Sequence, residues 1–197
     1  MRVIAGKWRG RPLRAPRGSV TRPTSDRVRE SLFNLLGSAV EGAAVLDLFG
    51  GTGALSLEAL SRGSARAVLV EHDGAACSAI RENAASLGAE GGVFLLRSDW
   101  RGALRTLAAR GERFDLVFLD PPYGEGMAEA AAAALGRGNL LLPGAVVAVE
   151  EAWRRGAGFA PPAGWEILAD RRYGDTRVIL LRTPREGEGT LPEEEGT

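Results

Sequence analysis

The chain is poor in the residues that build metal sites and disulfides. Among 197 residues there is one cysteine, Cys77, and one histidine, His72. A disulfide within the chain is excluded, and so is a cysteine-based zinc site. No metal site is expected. Long hydrophobic runs are missing too: no apolar stretch approaches the roughly 20 residues needed to cross a bilayer. The arginine-rich start has no apolar segment of the kind that follows the charged end of a secretory leader. These absences set the expectation of a cytoplasmic protein without a membrane partner, and a monomer. Lysine is nearly absent as well, Lys7 being alone against 24 arginines. Arginine in place of lysine therefore carries no information here, but the clustering of arginine does.

What is present suits one globular domain, with 45% hydrophobic residues and a formal net charge of zero. That zero is a cancellation. Residues 1–29 carry a charge of +8, and the segment from Glu186 to Thr197 carries −5. A basic arm on an otherwise neutral body points to a polyanionic partner.

Residues 2–14 read as two short strands around Gly6–Gly10, a basic hairpin. Thr24-Ser25-Asp26 is a helix N-cap cluster, followed by Val28, Leu32, Leu35 and Leu36 at helical spacing until Gly37. From Ala43 onward strands and helices alternate. Strands are expected over Val45–Phe49, Ala67–Glu71, Val93–Arg97, Phe114–Leu119 and Ala145–Glu150. Helices are expected over Ala54–Ser61, Ala75–Leu87, Arg101–Ala109 and Met127–Leu135. Such alternation predicts an α/β fold, a mostly parallel sheet with helices on both faces. Trp165–Ala169 and Arg177–Arg182, joined through Tyr173-Gly174-Asp175-Thr176, predict a closing antiparallel hairpin. Three segments follow: residues 1–37 as a basic hairpin-plus-helix extension, 38–183 as the α/β domain, and 184–197 as an acidic disordered tail.

In open α/β sheets ligands sit beyond the carboxyl ends of the strands. The first strand ends in Asp47-Leu48-Phe49-Gly50-Gly51-Thr52-Gly53, where glycines let backbone pass close to a ligand. The second ends in Glu71, an acid placed to accept hydrogen bonds from ribose hydroxyls. An adenosine-like cofactor fits both. A dinucleotide fingerprint would want a third glycine where Ser56 stands. The fourth strand runs into Asp120-Pro121-Pro122-Tyr123. The two prolines remove two N–H donors. A carboxylate, a bare carbonyl and an aromatic ring then stand together, a set suited to holding a planar amine. His72 reads as a rim or surface residue, Cys77 as helix packing, and Trp153 and Trp165 as core or edge packing. Trp8 either stacks on the polyanionic partner or pins the hairpin.

Asp-Pro-Pro-Tyr after the fourth strand resembles the signature of amino-methyltransferases. Arg22–Asn34, Tyr173–Thr176 and the opening Arg2–Gly10 narrow the likeness. Together, from residue 2 to about 182, they resemble the RsmD family, bacterial methyltransferases of the guanine N2 amine in 16S ribosomal RNA. The resemblance implies a class I (Rossmann-like) methyltransferase sheet and S-adenosyl-L-methionine as cofactor. Its partner would be ribosomal RNA or the small ribosomal subunit. Carried onto this chain, Asp47, Phe49, Gly51 and Gly53 would form the cofactor loop, Glu71 would take the ribose and Asp99 the adenine. Asp99 also fits a helix N-cap. Asp120, Pro121, Pro122 and Tyr123 would hold the acceptor base, and Lys7, Arg9, Arg11, Arg14, Arg22, Arg27 and Arg29 would contact RNA. The alternatives are an amino-methyltransferase of DNA adenine or cytosine or of protein glutamine, a nucleotide-dependent oxidoreductase, and a non-catalytic RNA-binding protein on the same scaffold.

Overall fold

A computed structural model describes residues 1–15, 25–122, 126–153 and 159–186. Its elements, in chain order, are α1 (Asp26–Leu36), β1 (Ala44–Asp47), α2 (Ala54–Ser61), β2 (Arg66–Glu71), α3 (Gly74–Leu87) and β3 (Val93–Arg97). They continue with α4 (Trp100–Ala109), β4 (Phe114–Leu119), α5 (Met127–Arg137), β5 (Leu141–Ala152), β6 (Glu166–Tyr173) and β7 (Thr176–Arg182). The helix boundaries follow local chemistry. Ser25 caps α1 by accepting the Val28 N–H at 3.2 Å, and Gly37, at φ 53°, takes the chain out of the helix. Asp73 caps α3 in the same way through the Ala76 N–H.

The seven strands order as β3-β2-β1-β4-β5-β7-β6. β1 to β5 are parallel, whereas β5–β7 and β6–β7 pair antiparallel. The expected class I methyltransferase sheet with its closing hairpin is present. β5 begins earlier than expected and pairs with β4 across a register shift between Phe114 and Leu116. The central parallel strands β1, β2 and β4 are buried on both faces, with alternate residues serving opposite layers, whereas β3 at the sheet edge leaves Phe94 exposed. Val45, Leu69, Leu116 and Phe118 pack under α1, α2 and α3. Leu46, Val68, Val117 and Leu119 pack under α4 and α5. Because successive crossovers run to β2 and β3 on one side of β1 and to β4 on the other, a crevice opens between the carboxyl ends of β1 and β4.

The hairpin expected over residues 2–14 is a loop closed by a single antiparallel bridge, Arg2↔Pro12, rather than by two strands. Beside its internal bonds, such as Val3 N–H to the Arg11 carbonyl and Gly10 N–H to the Val3 carbonyl, it bonds to the domain beneath. Glu58 on α2 is fully buried and accepts the N–H groups of Ile4 and Ala5 at 2.6 and 3.0 Å. Ser61 accepts the Trp8 N–H through its hydroxyl and the Lys7 N–H through its carbonyl. Gly6, at φ 80°, presses on Ser61 so closely that a Cβ would lie 1.8 Å from the carbonyl oxygen. Val3 and Leu13 enter the same core as Val28, Leu32 and Leu57. Trp8 is half-buried against that core, with the Lys7 ammonium 4.1 Å above its ring.

One expected RNA contact is overturned here. Arg29 does not reach solvent: its side chain is wholly buried. It donates to the Arg2 carbonyl and to Asp26, and lies 3.9 Å from the Glu58 carboxylate. On α1 it falls next to Val28 and just before Leu32, so the face that packs on α2 carries it inward. Arg29→Ala should then be strongly destabilising, by about 3 kcal/mol, because it strips a buried carboxylate of one countercharge. Arg62, 2.7 Å from Glu58, keeps the loss from being larger. Urea unfolding monitored by circular dichroism measures the difference.

Candidate active site

Three sequence-predicted acids, Asp47, Glu71 and Asp120, stand at neighbouring strand ends beside the crevice between β1 and β4. Asp47 is the last residue of β1 and is 1% exposed. Its Oδ2 accepts the Ser56 hydroxyl at 2.9 Å, and its Oδ1 lies 3.4 Å from the Phe49 N–H. Ser56, where a dinucleotide site would have its third glycine, is itself fully buried and serves this carboxylate. Burial pushes the Asp47 carboxyl from an ordinary 3.8 up to about 7, the negative charges of Asp120 and Glu71 adding to the rise against the Ser56 hydrogen bond. Two anionic side chains from the neighbouring strand ends are thus close enough to be felt at Asp47.

The loop that follows is drawn back over the sheet. The Gly50 N–H bonds the Val70 carbonyl at 2.8 Å, and a Cβ at Gly50 would meet Ile80 at 3.2 Å. Gly51 and Gly53 take φ of 53° and 78°, left-handed conformations open to glycine. Gly53 then starts α2, whose first N–H groups have no partner within the helix. Phe49 is half-buried on the opposite face, against the core of α4 and α5.

Glu71, the last residue of β2, faces this loop. Its Oε2 accepts the Gly51 N–H at 2.9 Å. Its Oε1 accepts the N–H groups of His72 and Asp73, both at 2.8 Å. Three backbone donors fix the carboxylate in place, and an oxygen with one donor keeps a lone pair for a ligand hydroxyl. His72 is exposed beside it, with Nδ1 3.2 Å from Oε1. Cys77 is buried in α3, where desolvation raises its thiol pKa and leaves it unreactive.

Asp99 is the N-cap of α4, its Oδ1 accepting the Arg101 and Gly102 N–H groups at 3.0 Å each. The Gly102 N–H does most to hold its carboxyl below the usual range. Asp120 follows β4 directly and is half-buried, with Pro121 buried and Pro122 exposed behind it. Tyr123 lies outside the described residues, as does Arg22. Lys7, Arg9, Arg11, Arg14 and Arg27 are exposed. Arg11 donates to the Ser86 carbonyl, and Arg14 pairs with Glu82 at 3.3 Å.

Two buried polar residues escaped the sequence reading. Glu58 ties the arm to α2. Asn83 joins the arm to the glycine-rich loop: its Nδ2 donates to the carbonyls of Arg14 and Thr52, both at 2.9 Å, and its Oδ1 accepts the Arg14 N–H at 2.7 Å. The available signal was a polar residue on an apolar helix stripe, since Asn83 lies between Ile80 and Leu87 at helical spacing.

The tyrosine turn belongs to the same end of the molecule. Tyr173 pairs with Thr176 around Gly174, and β5 pairs Ala152 with Thr176, so the turn stands at the carboxyl end of the parallel strands. Arg177 locks it by bonding Asp170 through two nitrogens, at 2.6 and 2.9 Å, and Glu151 at 3.0 Å.

The chain is similar over nearly its whole length to proteins of known name. Ribosomal RNA small subunit methyltransferase D of Escherichia coli is 38% identical over 188 residues, covering 95% of this chain and 92% of that protein. The Haemophilus influenzae protein of the same name is 33% identical over 174 residues, covering 88% and 89%. The solved structure of the Escherichia coli protein yhhF superposes with a TM-score of 0.81 at 38% identity, covering 93% of this chain and 98% of that one. A family model described as Conserved hypothetical protein 95 matches residues 1–182, from the docked arm through β7, and to that family this chain belongs.

Proposed function

We propose that this chain transfers a methyl group from S-adenosyl-L-methionine to the exocyclic N2 amine of a guanine in small-subunit ribosomal RNA. The observation that carries the reading is the meeting of Asp47, Glu71 and Asp120 at the carboxyl ends of β1, β2 and β4, around a left-handed glycine turn. The names of the relatives, ribosomal RNA small subunit methyltransferases, support the substrate class.

The residues fit the cofactor. Asp47 is a desolvated carboxylate whose charge a bound ammonium would restore, which suits the amino group of the methionine part. Gly51 and Gly53 permit close backbone approach, and Glu71 offers its remaining lone pair to the ribose. Asp99 would meet the adenine through Oδ2, since its cap uses Oδ1. The cofactor supplies the activated sulfonium methyl.

The difficulty lies in the acceptor, because the N2 lone pair is delocalised into the ring. Asp120 and a carbonyl of the Pro121-Pro122 segment would accept the two amine hydrogens, favour the pyramidal amine and aim its lone pair at the methyl. No strong base is needed, since the methylated ammonium is acidic. Guanine also offers an N1–H donor to a carboxylate, where adenine presents a lone pair. The base must leave its stack, and Tyr123 would replace the lost stacking.

The exposed arm residues Lys7, Arg9, Arg11 and Arg14, with Arg22 and Arg27, would bind phosphates. Replacing Arg9, Arg11 and Arg14 by glutamine should weaken RNA binding and flatten the plot of log affinity against log salt by about one unit per residue. Their exposed contacts contribute little to stability, so the fold should hold. An unchanged salt slope would remove the arm from the docking surface. The test of the function itself is to map methylated nucleotides in ribosomal RNA from cells lacking the protein. One guanine should lose its N2-methyl group and regain it on incubation of the small subunit or its RNA with the pure enzyme. A fully methylated RNA from those cells would end the proposal.

A further inference from the structure

The arm and the glycine-rich loop are far apart in sequence, yet one side chain holds both. Asn83 is 1% exposed, and both polar atoms of its side chain are engaged across an element boundary. Its orientation is dictated by its partners, because the Arg14 N–H requires an acceptor and the Arg14 and Thr52 carbonyls require donors. Thr52 sits between the two left-handed glycines. A second contact runs the same way: the Thr52 hydroxyl lies 3.7 Å from the Met1 sulfur. Asn83 also rides on α3, which starts three residues after Glu71. Held by arm and helix, the Thr52 carbonyl fixes the turn whose Gly51 N–H bonds Glu71.

We infer that Asn83 is a positioning residue for the cofactor-binding loop, one that makes the shape of that loop depend on the seated arm. The loop keeps its binding form while the arm's Arg14 backbone shares the amide with Thr52. When the arm lifts, Asn83 loses two of its three bonds and the turn loosens. RNA that grips the arm and cofactor that grips the loop are then linked, each strengthening the other's binding by the same factor. The link to catalysis rests on the cofactor reading above, whereas the link between arm and loop does not.

The experiment uses the full chain and two variants. Asn83→Asp keeps an acceptor for the Arg14 N–H but loses both donated bonds, and Asn83→Ser serves if the aspartate variant fails to fold. Gly6→Val unseats the arm from its far end, since its Cβ would collide with the Ser61 carbonyl. Amide hydrogen exchange is measured without cofactor. Gly51 and Gly53 should exchange about tenfold faster in both variants, with β1 and β4 as protected as before. Then, in folded Asn83→Asp, KM for S-adenosylmethionine should rise about tenfold while kcat at saturating cofactor stays near that of the wild type. Unchanged loop exchange in the Asn83 variants overturns the proposal. Loop exchange that rises with Asn83→Asp and stays put with Gly6→Val overturns the dependence on the arm. Failure of the wild type to bind S-adenosylmethionine strikes the cofactor reading and leaves the exchange result standing.

Discussion

Asp120→Ala should lower the rate of methyl transfer about 10²–10³-fold while S-adenosylmethionine still binds. The separation of effects follows from where Asp120 stands. It follows β4, across the crevice from the glycine-rich loop, and in the proposed reaction it acts on the acceptor amine rather than on the donor. Its charge nevertheless reaches Asp47, whose carboxyl it helps to raise. Removing that charge lets Asp47 ionise more easily, so cofactor affinity near neutral pH should hold or improve slightly. Asp120→Asn should be milder, because an amide oxygen still accepts one amine hydrogen. Single-turnover assays with saturating cofactor separate the steps. An alanine variant that transfers methyl as fast as the wild type would remove Asp120 from the chemistry. One that merely loses cofactor affinity would reassign it to the donor side.

The parallel sheet was legible because its signal is local. Runs such as Val45-Leu46 and Val68-Leu69-Val70 are apolar on both faces, and the glycines and carboxylates that follow them mark the ligand end. Gly174-Asp175 announced the closing hairpin for the same reason. The arm was less legible. Its glycines and arginines suit a hairpin, yet the backbone donors of Ile4, Ala5, Lys7 and Trp8 are taken by Glu58 and Ser61, more than fifty residues away. No local pattern reveals such partners. Arg29 shows the cost of reading charge as exposure. It looks like one more basic residue in a basic segment, but it faces α2, where a buried glutamate answers it. Glu58 and Asn83 were hidden by the inverse of that error, being polar residues within helix faces that otherwise read as core.

Asp47 gives the molecule a pH signature. Its carboxyl rises from 3.8 in an open chain to about 7 in the fold, desolvation being the largest cause. Between those values the unfolded chain has lost a proton that the folded chain keeps. Unfolding therefore releases a proton, and stability falls as pH increases from about 4 to about 7, then levels off. The loss amounts to about 4 kcal/mol between the two ends of that window. Asp47→Asn should abolish this part of the slope and make the protein more stable at pH 8, by roughly 2–4 kcal/mol, since a neutral amide escapes the desolvation cost. Cofactor binding should respond in the opposite sense. A cation seated beside Asp47 favours the carboxylate, so binding releases the proton that the empty site retains. Affinity of the wild type should then climb up to about tenfold per pH unit below 7 and flatten above it. In Asp47→Asn the affinity should be low and nearly independent of pH across that range. Urea unfolding and calorimetric titration of S-adenosylmethionine, each from pH 5 to 8, read the two slopes on the same pair of proteins. A stabilised variant that binds cofactor as tightly as the wild type would leave Asp47 a cost of burial with no ligand to explain it.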